Sequence, residues 1–180
     1  MPKQKVKRPD AKWEVFGVSR RRLQPAPQCP AAYTLRVYLV GGPPHAEWDE
    51  LIWRDIVLRA DQTLHDLHFA IFDAFDREDQ HHYEFNLGIG PRDRSRTFTI
   101  EPGPSGAWFE DFESADAMET TLDSLGLQEG RRFGYWFDFG DDWKHVVEVI
   151  EVHEEKPKGK LPRVLDRQGK SPPQYEPWEE

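Results

Sequence analysis

Residues 135–145, Tyr-Trp-Phe-Asp-Phe-Gly-Asp-Asp-Trp-Lys-His, constrain this chain more than any other stretch. Phe133, Tyr135 and Phe137 alternate with smaller or outward positions, the period-2 pattern of a strand with one buried face. Gly140-Asp-Asp142 supplies turn chemistry, and Lys144–His153 returns as a strand. Val147 and Val149 would line one of its faces, and Val146, Ile150 and Val152 the other. So dense an aromatic hairpin needs a sheet to join. Phe137 and Phe139 are expected in the core or at its edge, and Gly140 in a conformation that a Cβ would oppose.

The rest of the chain supplies partners for that hairpin. Tyr33, Leu35, Val37 and Leu39 alternate in one strand, and residues 51–58 read as a second, joined by a long Gly-Pro loop. Thr63-Leu-His-Asp66 has the form of a capping box, with Thr63 as N-cap. Leu64, Leu67, Ile71 and Phe75 then line one helical face, and Asp76-Arg-Glu-Asp79 reads as the charged end of that helix. Tyr83, Phe85 and Leu87 form a third strand, and residues 97–100 a short fourth. Residues 101–119 read as an acidic surface loop, and Thr121–Leu125 as one helical turn. The order predicts an α+β, β-grasp-like fold: a mixed sheet with one main helix packed on one face and a prominent C-terminal hairpin. With 7 Trp, 11 Phe and 5 Tyr, the chain has the bulk for a real core.

Charge divides the chain. Residues 1–30 carry eight Lys or Arg against two acids; residues 31–180 carry sixteen against thirty-one. The expected organisation is a basic arm over 1–30, an α+β domain over 31–165 and a Pro-rich tail over 166–180. An acidic body repels phosphate backbones. Nucleic acid, if bound, would therefore meet the arm, through Lys3, Lys5, Lys7, Arg8, Arg20, Arg21 and Arg22. No apolar run approaches the length of a membrane span. Cys29 is the only cysteine, which rules out an internal disulfide and a Cys-rich zinc site. A cytoplasmic location is the simplest expectation.

Several side chains carry chemistry. His81, Asp141 and His145 could hold a divalent metal if the strands converge, yet Gly-Asp-Asp turns usually satisfy their own backbone. Arg54 alternates onto a buried face and calls for a carboxylate, with Asp138 and Asp141 as candidates; as a site it would clamp an anion. His68 borders the apolar stripe of the helix, more a core-edge residue than a ligand. Trp136 and Trp143 flank the turn and could stack a ring, though aromatic residues in hairpins mostly pair across strands. Arg54, His68, Asp138, Asp141 and Trp143 are thus the binding candidates. No phosphate-binding loop, dinucleotide fingerprint or nucleophile elbow appears, and no catalytic residue is assigned.

Five ordered segments together resemble the plasmid pRiA4b ORF-3-like family, also labelled transposon-passenger or TnpR-like. They are Ile52-Trp-Arg-Asp-Ile56; Thr63-Leu-His-Asp-Leu-His68 through Ala74-Phe75; His81-His-Tyr-Glu-Phe85; the hairpin Tyr135–His145; and Pro162–Gly169 with Pro172-Pro173. Val164 and Ser171 stand where that family often has cysteines, so no thiol pair acts here. The resemblance implies a β-grasp-like domain found near mobile elements, without a known reaction. The expected function is a non-enzymatic binding module of mobile or accessory elements, with a protein or small-ligand partner and no cofactor. The alternatives are a metal-assisted hydrolase or nuclease built on the His/Asp cluster, and weak nucleic-acid binding through the arm.

Overall fold

The computed structural model describes residues 29–88, 96–100 and 114–176. The seven arm cations named above, and most of the 101–119 segment, lie outside the described residues.

The described chain runs β1 (Ala32–Gly41), β2 (Trp53–Arg59), α1 (Leu64–Ala74), β3 (Tyr83–Asn86), β4 (Thr97–Thr99), β5 (Ser114–Asp116), a 3-10 turn (Asp123–Leu125), β6 (Arg132–Phe137), β7 (Trp143–His153) and β8 (Arg163–Gln168). All eight strands join one sheet in the order β5-β4-β3-β6-β7-β1-β2-β8. Every neighbouring pair is antiparallel except β4 with β5, so the sheet is mixed.

This overturns the β-grasp-like expectation of a main helix covering one face. An eight-stranded sheet is roughly 34 Å across at ~4.8 Å per strand. The 11-residue α1 is the single α-helix among the described residues, and at ~1.5 Å per residue it spans only about 16 Å. The fold is a sheet with one short helix at its middle. Leu122, Leu125 and Leu127 from the segment before β6, with Ala46 and Ile52 from the β1–β2 connection, share the same core.

Local chemistry explains the elements that were foreseen. Thr63 Oγ1 accepts from the Asp66 amide at 3.1 Å, and an Asp66 carboxylate oxygen accepts from the Thr63 amide at 2.8 Å, a reciprocal capping box. β6 and β7 pair in register from Arg132↔Glu148 to Phe137↔Trp143. The turn between them differs from expectation. Left-handed backbone falls on Asp138 (φ 56°) and Asp142 (φ 64°) rather than on Gly140. Asp138 Oδ1 accepts from the amides of Gly140 and Asp141, so the aspartate's own side chain stabilises the bend. Phe137 is buried, but Phe139 is 47% exposed and leans on Trp136 with ring centroids 4.4 Å apart.

The two faces of the sheet differ. Residues opposite one another share a face. One face carries Val37, Arg54, Tyr83, Phe85, Tyr135, Phe137, Trp143, His145 and Val147 and borders the core that α1 shares with the 122–127 segment. The other carries Arg36, Tyr38, Trp53, Asp55, Trp136, Lys144 and Glu148. There the charges pair. Arg36 meets Asp55 at 2.7 Å, Arg132 meets Glu148 at 3.0 Å, and Lys144 meets Asp142 at 2.8 Å. Arg36 also lies 4.0 Å from the Trp53 ring centroid.

Candidate functional site

The end of α1 sets the site. Its last turn leaves carbonyls without helical partners. Arg54, reaching across from β2, donates Nε to the Ala74 carbonyl at 2.8 Å. Its Nη1 donates to the carbonyls of Trp53 and Gln168 at 2.8 and 2.9 Å. Arg54 is 2% exposed and packs 5.0 Å from the Phe75 ring centroid. It is a cation at a helix C-terminus, where the helix dipole favours one, and three carbonyls take the place of the carboxylate expected from Asp138 or Asp141.

The chain then returns from far away. Ser171 donates its hydroxyl to the Phe75 carbonyl at 2.7 Å. Gln174 accepts from the amides of Glu78 and Asp79 at 2.7 and 3.0 Å and donates to the Asp79 carbonyl at 2.9 Å. Residues 171–175 thus strap the end of α1.

Beneath the strap lies Arg77. Its guanidinium stacks 3.6 Å from the Trp143 ring centroid, and its Nη1 donates to the Pro172 carbonyl at 3.0 Å. The side chain is 7% exposed, and its Nε and Nη2 have no partner. Burial pushes its pKa down to about 10, so it remains a cation at neutral pH. Two residues from Trp143 on the same face, His145 is 3% exposed and neither ring nitrogen has a hydrogen-bond partner. The carbonyls of Tyr135 and Trp143 favour a proton on that ring, but neither makes a bond of good geometry. Burial first, and Arg77 second, hold its pKa well below the ordinary histidine value. The Trp143 indole nitrogen is likewise buried and without a partner. Gly42 makes the fit possible, since a Cβ there would meet the Trp143 ring at 2.8 Å.

A second polar group adjoins. His68 Nδ1 pairs with the Tyr135 hydroxyl at 2.8 Å, and its ring stacks on Tyr83 with centroids 3.9 Å apart. Burial, then His65, pushes His68 down to about 3. A neutral His68 therefore accepts from the Tyr135 hydroxyl, which burial holds protonated well above the usual tyrosine range. His65 pairs with the Tyr83 hydroxyl at 2.8 Å. The Tyr135 and His145 rings are 5.2 Å apart, which links the two groups.

The expected metal set does not form. His81 is exposed and sits 3.1 Å from the Tyr175 hydroxyl and 3.4 Å from Asp138. His145 is buried among Phe75, Tyr135 and Arg77, and Asp141 stays at the turn through its backbone. No group of three His, Cys, Asp or Glu among the described residues could hold a metal ion. Of the binding candidates, the structure brings Trp143 to Arg77, with His68 one tyrosine away, and from the expected metal set it brings His145 there. Asp138 and Asp141 belong to the turn and Arg54 to the helix end. Sequence reasoning missed Arg77, which the run Asp76-Arg-Glu-Asp79 disguises as solvated charge.

A family model described as plasmid pRiA4b ORF-3-like protein matches residues 32–175. No curated protein matches the sequence. Among solved structures, a protein of unknown function from Methanosarcina mazei Go1 is similar, with a TM-score of 0.62 and 23% identity over 81% of this chain and 74% of that one. A likeness at that identity speaks for the fold alone. Among the described residues, no helix is long and apolar enough to cross a membrane.

Proposed function

The chain belongs to the plasmid pRiA4b ORF-3-like family, and from that premise we propose that it is a non-enzymatic binding module of mobile or accessory genetic elements. One observation carries the reading. Arg77, His145 and Trp143 gather buried hydrogen-bonding groups that the described protein leaves without partners. Buried polar groups are normally satisfied, so such a gathering marks a place where something else supplies the partners. The neighbouring groups favour holding over reacting. His68 and His145 both stay neutral near pH 7, and a guanidinium beside His145 opposes a metal cation there. The transposon-passenger association is carried with this reading. A resolvase-like activity is not, because the sequence has no serine-recombinase motif.

The test is a thermal-shift panel of neutral, cationic and anionic small molecules on the full chain. At least one compound should raise the midpoint saturably, as ligand linkage requires. Arg77→Met should abolish that shift, and Arg36→Met on the opposite face should retain it. A panel without a binder, or a binder indifferent to Arg77, contradicts the site. Turnover of the binder contradicts the non-enzymatic reading.

The charge split favours a second, separable activity for the arm. Weak nucleic-acid binding through Lys3, Lys5, Lys7, Arg8, Arg20, Arg21 and Arg22 should have a shallow salt dependence. It should vanish when residues 1–24 are removed.

A further inference from the structure

Arg36 and Arg77 use the same guanidinium edge differently. Arg36 gives Nε and Nη2 to Oδ1 and Oδ2 of Asp55 at 2.7 Å each, a side-on fork closed by a carboxylate. Arg77 turns the same two atoms into the interior with no partner. Its remaining nitrogen is tied to Pro172, and its plane is fixed on Trp143, so the free edge has a set direction. Stacking offsets part of the cost of burying the cation, and Asp76 acts on it through space, but with no acid bonded to it the buried charge remains unfavourable. The indole N–H of Trp143 can only donate, and a neutral His145 has one nitrogen that donates. Donors therefore dominate the unpartnered set, and what is missing is an acceptor with negative charge.

On the binding-module reading above, we infer that the ligand presents an oxyanion, a carboxylate or a phosphate, which Arg77 holds side-on through Nε and Nη2 beneath the Ser171–Tyr175 strap. A planar carboxylate matches the fork as Asp55 does on Arg36, and two phosphate oxygens match it equally well. Entry requires the strap to lift. The bonds that would have to open join Ser171 to Phe75, Gln174 to Glu78 and Asp79, Arg77 to Pro172 and His81 to Tyr175.

The test follows the Arg77 Nε–Hε resonance of the full, nitrogen-15-labelled chain. It is titrated with sodium acetate, sodium phosphate and sodium chloride at constant ionic strength. Acetate or phosphate should move the resonance saturably, with a half-point at least about tenfold below that of chloride, as a charge-assisted fork implies. Arg36, already closed by Asp55, should show only the chloride response. Acetate alone acting assigns a carboxylate ligand, and phosphate alone a phosphoryl group. A resonance that moves no more in either than in chloride, up to about 50 mM, overturns the oxyanion. The binding-module reading then survives only if a neutral or cationic compound stabilises the chain through Arg77. Removal of residues 177–180, which include Glu179 and Glu180, gives the last outcome. If that truncation shifts the resonance without added anion, the chain's own acid is the occupant and the proposal falls.

Discussion

On the open face of the sheet each cation named above has an acid beside it: Arg36 has Asp55, Arg132 has Glu148, Lys144 has Asp142. Beneath the strap, where an unpaired charge costs far more, Arg77 has a carbonyl, an indole face and the through-space field of Asp76, but no acid bonded to it. Stability alone would produce the reverse arrangement, since water makes pairing nearly optional outside and burial makes it pressing inside. Arg54 shows that the buried face can satisfy an arginine when the role is structural, because three carbonyls surround it. Single ring nitrogens on His45 and Trp136 also lack partners, but at Arg77 a buried cation is among several such groups.

The two faces should respond unequally to mutation. Trp143→Ala, beneath the helix and 0% exposed, should lower unfolding stability by about 3–5 kcal/mol, the usual cost of emptying an aromatic core site. Trp53→Ala on the open face should cost far less in the same urea titration. Equal losses would mean that the faces carry stability alike. Arg54→Met should cost about 2–4 kcal/mol, because it strips the donor from three carbonyls. A loss below about 0.5 kcal/mol would deny it the helix-end role.

Acidity probes the buried face next. His68 and His145 have native pKa values below the unfolded value of about 6.5. Above that pH both states are neutral and nothing changes. Below it the unfolded chain binds protons that the native state refuses, so stability falls as pH drops, down toward about 3 for His68. The slope reaches about 1.4 kcal/mol per pH unit for each such histidine. Urea titrations of the parent and of His68→Phe between pH 6 and 4 should differ by that slope, and parallel curves would refute the neutral, buried histidine. The smallest effect belongs outside. A double-mutant cycle on Lys144 and Asp142 should give only about 0.2–1 kcal/mol, weakened by salt, since both side chains are more than a third exposed.

How far the sequence reveals this arrangement depends on which force shapes each part. The β6–β7 hairpin, β1 with β2, and the capped start of α1 are legible, because alternation and capping write burial and local hydrogen bonding into neighbouring residues. β5 and β8 are not. Ser114–Asp116 falls inside a stretch that reads as loop, and Arg163–Gln168 is mostly exposed. Both are held by backbone pairing to an existing edge, which leaves no apolar pattern. The helix is legible but its small share of the architecture is not, because periodicity reports a helix's face and not the width of the sheet beside it. For the site, Trp143, His145 and His68 stood out by residue type. Arg77 did not, since its burial depends on Pro172, 95 positions away.

The most direct test is the stability of Arg77→Met in anion-poor buffer and again in acetate or phosphate. Methionine keeps the packing on Trp143 and removes the charge. The account predicts a variant about as stable as the parent, within about 1 kcal/mol, when no oxyanion is present. Added oxyanion should then stabilise the parent alone, by the amount that ligand linkage gives. A variant destabilised by several kcal/mol without anion, and a parent that no anion stabilises, would make Arg77 a structural residue like Arg54 and contradict the account.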